Sequence, residues 1–313
     1  MQRLKFTLFI CCVLLACSND ESAVTDAPAE QQTVSLTVSG YQRSWLIYLP
    51  KGHNNAGKMP LIFVIHGGSG TPAGMMELSV FKPIADREKF ILVYPAGIQK
   101  NWNDGRPTSP NQLGIDDVQF FNVMCDRMIA DYPVDPTRIF ATGISNGGFM
   151  SARLGCELSD RIAAVAVVAA TMEALAIAPA CKPGNPVPTL FIHGTNDSLV
   201  PFTGGEMTTS GTAGGTVLSH AQAIDKWITI NGCSTVPAVT DLPDIANDGT
   251  TVKRRVYSGG SGGSEVVSYV VLNGGHTWPM GTQYLPEVII GKTSRDLNAS
   301  ETIWMFFRRF RRD

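Results

Sequence analysis

The chain has 313 residues, 44% of them hydrophobic and 17% charged, with a formal net charge of −2. This composition supports a sizeable buried core and excludes a disordered chain. The nearly balanced charge excludes a broad basic surface for nucleic acid. None of the five histidines sits in an HxxxH pattern or beside a CxxC, so the sequence offers no metal site, and no motif calls for a cofactor.

The chain opens with Arg3 and Lys5 ahead of an apolar run over residues 6–16. That is the layout of a signal peptide, and the run is too short to span a bilayer. It ends in Leu14-Leu15-Ala16-Cys17, which resembles a bacterial lipobox. Residues 1–16 are therefore expected to be a lipoprotein signal peptide, Cys17 the lipidated residue and 17–32 a polar tether. The implied location is that of an exported lipoprotein, held to a membrane through its N-terminal lipid and facing the periplasm or the cell surface. An ordinary secretory signal with an incidental cysteine is the alternative. Export permits disulfides, and Cys125, Cys156, Cys181 and Cys233 allow three full pairings. Cys156 and Cys181 flank one expected strand and are the first candidates for a pair, with buried free thiols as the alternative.

From residue 33 the pattern alternates between strand and helix. Residues 33–38 and 44–49 alternate in polarity and read as two strands joined at Gly40-Tyr41. Residues 61–65 form a continuous apolar run, the mark of a strand buried on both faces of a parallel sheet, and 90–94 repeat it. A long polar loop over 95–115 contains Trp102. Asp116 and Asp117 can cap a helix running to about residue 131, where Phe121, Met124, Cys125 and Met128 make an apolar stripe. Residues 163–169, 189–192 and 266–272 read as further buried strands and 218–230 as helix. Asn298 with Glu301 suggests a capping box opening a last helix, whose basic end at 308–312 suits the negative helix terminus. Strands alternating with helices and no second linker indicate one α/β domain over 33–313 with a mostly parallel central sheet and helices on both faces.

The central motif is Gly143-Ile144-Ser145-Asn146-Gly147, with an apolar strand-like run before it and a helix-compatible segment after it. This is the order of a nucleophile elbow, in which a sharp strand-to-helix turn exposes a serine and leaves no room for a β-carbon two residues to either side. Hydrolases built on this turn place an acid and then a histidine downstream. Asp197 follows the run 189–192, and His276 follows the run 266–272. Both loops fall at the C-terminal edge of a parallel sheet, where ligands of such sheets bind. Ser145 as nucleophile, His276 as base and Asp197 as its orienting acid complete the set that acyl transfer requires. For the oxyanion, the N–H of Asn146 is one expected donor. The loop His66-Gly67-Gly68-Ser69-Gly70 should supply the other, with Gly68 preferred and Ser69 second. His66 and His193 end strands and are expected to satisfy loop backbone groups. His53 and His220 are expected to be solvated.

Five segments in order, HGGSG, WNDGR (102–106), VDPTRIFATGISNGG (134–148), PTLFIHGTND and GGHTWP, resemble the polyhydroxybutyrate depolymerase and feruloyl esterase group of α/β-hydrolases. The resemblance runs from about residue 35 to the C-terminus. It implies the α/β-hydrolase fold and hydrolysis of hydroxycinnamoyl, short acyl or hydroxyalkanoate esters, polymeric ones included. It also implies the triad Ser145, Asp197 and His276, and aromatic positions near the substrate cleft at Trp102 and Trp278. Packing is the alternative for both tryptophans. Met280 departs from the glycine that usually follows the family's Trp-Pro. A serine peptidase or thioesterase would use the same triad, and a lipoprotein that only binds polymer would need none.

Overall fold

The computed structural model describes residues 26–207 and 214–312. Cys17, the signal segment and most of the expected tether lie outside the described residues. The strands in chain order are β1 (Glu30–Val38), β2 (Tyr41–Leu49), β3 (Met59–Ile65), β4 (Ile91–Pro95), β5 (Val134–Ile144), β6 (Ala164–Val168), β7 (Thr189–Gly194), β8 (Gly205–Glu206), β9 (Thr216–Val217), β10 (Ala238–Asp241), β11 (Thr251–Tyr257) and β12 (Val266–Leu272). Ten of them form one sheet in the order β1-β2-β4-β3-β5-β6-β7-β12-β11-β10, while β8 and β9 pair separately. The centre, β4 through β12, is parallel, and antiparallel hairpins close both edges. The α/β-hydrolase arrangement inferred from the sequence is the one found.

Alternate residues of the parallel strands feed two cores. Leu61, Phe63 and Ile65 of β3 join the helices α4 (Asp117–Asp131), α5 (Asn146–Glu157) and α7 (His220–Asn231) on one face. Ile62 and Val64 join α1 (Pro72–Ser79), α2 (Lys82–Glu88) and α9 (Ala299–Phe307) on the other. Three single-turn helices, α3 (Ser109–Gln112), α6 (Ile177–Ala180) and α8 (Glu287–Ile290), lie in connections. Asp116 caps α4 as expected, its carboxylate accepting the Gln119 N–H at 2.9 Å.

Several expectations shift at their margins. The tether ends sooner than residue 32, because β1 begins at Glu30 and Ala27 O accepts the Gly52 N–H at 2.7 Å. Only half of a capping box forms at α9: Asn298 accepts the Glu301 N–H, but the Glu301 carboxylate turns to Arg87 at 2.6 Å. The basic end lies beyond this helix, which stops at Phe307, and the exposed Arg309 pairs with Glu265. The edge hairpin β10–β11 was not legible, since Lys253-Arg254-Arg255 interrupts its polarity pattern. Cys156 and Cys181 form a disulfide, and Cys125 and Cys233 are buried free thiols.

Candidate active site

The elbow forms as its glycines require. Ser145 sits between β5 and α5 at φ +56°, ψ −125°, a backbone conformation that L-residues rarely adopt and that functional turns retain. Its N–H donates to Val168 O at 2.9 Å, tying the turn to the end of β6. A β-carbon on Gly147 would lie 2.2 Å from Ile65 O, and one on Gly143 would lie 2.5 Å from Gly147 O, so neither position admits a side chain. The N-terminus of α5 directly follows the serine and brings its partial positive charge there.

Asp197 and His276 come together from the loops after β7 and β12, which are adjacent parallel strands. His276 Nδ1–H donates to Asp197 Oδ2 at 2.8 Å, which leaves Nε2 as the basic nitrogen. The other carboxylate oxygen accepts the N–H groups of Leu199 (2.9 Å) and Val200 (2.7 Å). Burial by itself raises the Asp197 carboxyl. The charge of His276, with hydrogen bonds from His193 and His276, outweighs it and holds the group below the ordinary carboxylate range. Tyr284, which no motif indicated, donates its hydroxyl to His276 O at 2.8 Å and steadies the loop. Among the described residues no hydrogen bond joins Ser145 Oγ to His276. Such bonds are commonly long in a free enzyme and tighten with substrate.

The two expected oxyanion donors differ from their neighbours in one respect. Ser69 N–H is committed to Lys100 O at 2.9 Å, whereas among the described residues the N–H groups of Gly68 and Asn146 have no partner within the chain. The two residues adjoin: a β-carbon on Gly68 would come within 4.0 Å of Asn146 Cβ. His66 holds the glycine loop from beneath. Its Nδ1–H donates to Gly67 O (2.7 Å) and its Nε2 accepts the Gly97 N–H (3.1 Å). Burial lowers its pKa to about 4, so the ring is neutral at ordinary pH.

The structure corrects the expectation for both tryptophans. Trp102 and Trp278 are 0% and 1% exposed, and neither presents its ring to the cleft. Trp102 packs on Phe121 and donates its indole N–H to His66 O at 2.9 Å. Trp278 packs on Phe81 and donates to Ser300 Oγ at 3.0 Å. The rest of the WNDGR segment is a buried polar lattice under the nucleophile: Asn146 Nδ2 donates to Asp104 Oδ2 (2.6 Å), which also pairs with Arg106 (2.6 Å). Asn103 N–H donates to Asp117, itself paired with Arg43. Three polar side chains, Asn103, Asp104 and Arg106, in one five-residue motif were the available signal for this lattice. His220 is buried rather than solvated, with Nε2 2.7 Å from Ser268 Oγ. Met280, which stands where the resemblance leads one to expect glycine, adopts φ +63°, a left-handed backbone that strains a side-chain-bearing residue.

A cleft of about 310 Å³ opens at Ser145, lined by Gly68, Ser69, Asn101, Thr108, Asn146 and Met207 among others. Hydroxyl and amide groups dominate its wall. Among the described residues no group of His, Cys, Asp and Glu side chains is arranged to hold a metal ion.

No protein-family model matches the chain. A putative esterase, NocK from Nocardia uniformis subsp. tsuyamanensis, is 30% identical over 88% of this chain and 82% of its own length. Feruloyl esterase D of Neurospora crassa is 28% identical over 89% of this chain and 86% of its own. Among solved structures, the acetyl xylan esterase from Aspergillus awamori superposes with a TM-score of 0.60 at 16% identity, covering 79% of this chain and 94% of that one, a likeness of fold. The chain belongs to the feruloyl-esterase-type family of α/β-hydrolases and is a carboxylic ester hydrolase.

Proposed function

We propose that the protein is a serine esterase working through Ser145, His276 and Asp197. His276 Nε2 takes the proton of Ser145 Oγ as the oxygen bonds to the ester carbonyl carbon. The carbonyl oxygen becomes an anion, facing the free N–H groups of Gly68 and Asn146. When the tetrahedral species collapses, the C–O bond to the alcohol breaks and His276 returns the proton to the departing oxygen. Water, deprotonated by the same imidazole, then releases the acid from the serine. Asp197 stays ionised throughout and holds the imidazole with Nε2 toward the serine. The observation that carries this reading is the 2.8 Å bond from His276 to a fully buried Asp197 carboxylate, at the sheet edge where Ser145 holds its strained turn.

The polar cleft wall suits an ester borne on a hydroxyl-rich alcohol such as a plant polysaccharide, and the relative named feruloyl esterase points to a feruloyl acyl group. Methyl ferulate, acetylated xylan and hydroxybutyrate oligomers, assayed side by side with peptide anilides, test it. Turnover of the first two above the others is the expected result. Hydrolysis of anilides alone would make the protein a peptidase.

The location completes the proposal: export, and attachment to a membrane through lipid on Cys17. Cys17→Ala should release the protein from membranes or block signal cleavage. Wild-type protein found wholly soluble, with another N-terminus, would end this part of the reading.

A further inference from the structure

The carboxylate of Asp197 faces two imidazoles. Besides His276, the Nε2 of His193 lies 3.4 Å from Asp197 Oδ2 and 3.1 Å from Val200 O. A carbonyl and an ionised carboxylate only accept, so His193 Nε2 carries hydrogen and shares it between them, the longer arm reaching the carboxylate. The other nitrogen, Nδ1, is buried and has no partner among the described residues. A hydrogen there would be a buried donor without an acceptor, so the ring hydrogen belongs on Nε2. His193 belongs to β7, in register with Val270 of β12, whereas Asp197 belongs to the following loop. The donor is thus fixed by the sheet and the acceptor is the part that could turn. Around the ring stand His220 of α7, with ring centroids 5.6 Å apart, and Phe202 at 5.3 Å; Ser268 of β12 is taken by His220, and Arg255 of β11 lies beyond it.

We propose that His193 is a positioning residue for ester hydrolysis: its Nε2–H fixes the Asp197 carboxylate and draws on the oxygen that orients His276, setting the pH at which His276 becomes free to act as base. The inference rests on the serine esterase reading above. Two donors on one oxygen divide its charge. Asp197 is therefore a weaker partner for a protonated His276 than it would be alone. Without the second donor the carboxylate would hold the protonated imidazole more firmly and could also rotate away from it.

Three variants separate positioning from packing. His193→Gln places an amide N–H near the Nε2 position, His193→Asn is too short to do so, and His193→Phe fills the space without a donor. Each is followed by the rate at which a fluorophosphonate inactivates the enzyme between about pH 5 and 9, and by kcat and KM on p-nitrophenyl acetate. His193→Gln should keep the wild-type acidic limb. His193→Asn and His193→Phe should move that limb upward by roughly half to one pH unit and lower kcat about tenfold at neutral pH, with KM little changed. If the phenylalanine variant fails to fold, the asparagine variant carries the comparison. A wild-type limb in the donor-less variants, or an equal shift in the glutamine variant, would overturn the proposal. Ser145→Ala run in parallel keeps the two readings apart. If it still labels and turns over, the esterase mechanism fails; if it is silent while the limb never moves, only the role of His193 fails.

Discussion

Asn146 grips the backbone of Trp102 on both sides: its Oδ1 accepts the Trp102 N–H at 2.8 Å and its Nδ2 donates to Trp102 O at 3.1 Å. The residue that follows the nucleophile is thereby fastened to a loop 44 residues earlier in the chain. With the bond to Asp104, the buried amide uses both of its ends. Asn146→Ala should leave a buried Trp102 N–H and part of the Asp104 carboxylate unpaired, a destabilisation on the order of 2–4 kcal/mol. Because the Asn146 N–H is held in place by this clasp, kcat should fall while KM changes little. Urea denaturation and steady-state kinetics on the same preparation check both.

His66 predicts a pH dependence of stability. Its folded-state pKa is lowered to about 4, chiefly by burial, against about 6.5 in an unfolded chain. The unfolded state therefore binds the extra proton first as pH falls. Stability from this group is complete above about pH 6.5 and is lost progressively towards about pH 4, by roughly 3 kcal/mol in all. Burial of the charged ring is the chief cause, and a protonated Nε2 would also point a donor at the Gly97 N–H. Urea midpoints measured from pH 7 down to about 4 should fall in the wild type and fall less in His66→Asn, which cannot gain that charge.

The disulfide closes a loop whose ends are 25 residues apart in sequence, joining the last turn of α5 to the segment after α6. Replacing both cysteines by alanine should cost on the order of 3 kcal/mol by loop entropy. Cys156 is at the far end of α5 from Ser145, so activity below the melting range should persist. Thermal melts with kcat at room temperature test the two halves of this statement.

Much of the site could be read from the chain because its constraints are local. Gly143 and Gly147 are demanded by backbone atoms 2.5 Å or less from where a side chain would start, and such demands are written into sequence. The buried parallel strands were equally plain, since residues 61–65 are apolar on both faces. What escaped was direction. Trp102 and Trp278 stand in the motifs, but nothing in a motif says that an indole turns inward to donate to His66 O or Ser300 Oγ. The order of Gly68 before Ser69 could be guessed from the sequence, but its reason, Lys100 O accepting the serine's N–H, could not. His220, polar and at the start of a helix, was expected in solvent because its partner Ser268 is 48 residues away.

Asp197→Asn should preserve the loop shape while favouring the wrong imidazole tautomer, with a loss of roughly 10⁴ in kcat. The asparagine can still accept from Leu199 and Val200, so folding should be affected far less than catalysis. A loss below about tenfold would move the acid elsewhere.

The central claim is that Ser145 is a nucleophile activated by His276. It is tested most directly by reacting the purified protein with a fluorophosphonate and locating the adduct by peptide mass spectrometry. One adduct on Ser145 is expected, with none in Ser145→Ala and labelling slowed by at least about a thousandfold in His276→Ala. An adduct on another residue, or labelling that His276→Ala leaves at the wild-type rate, would contradict it.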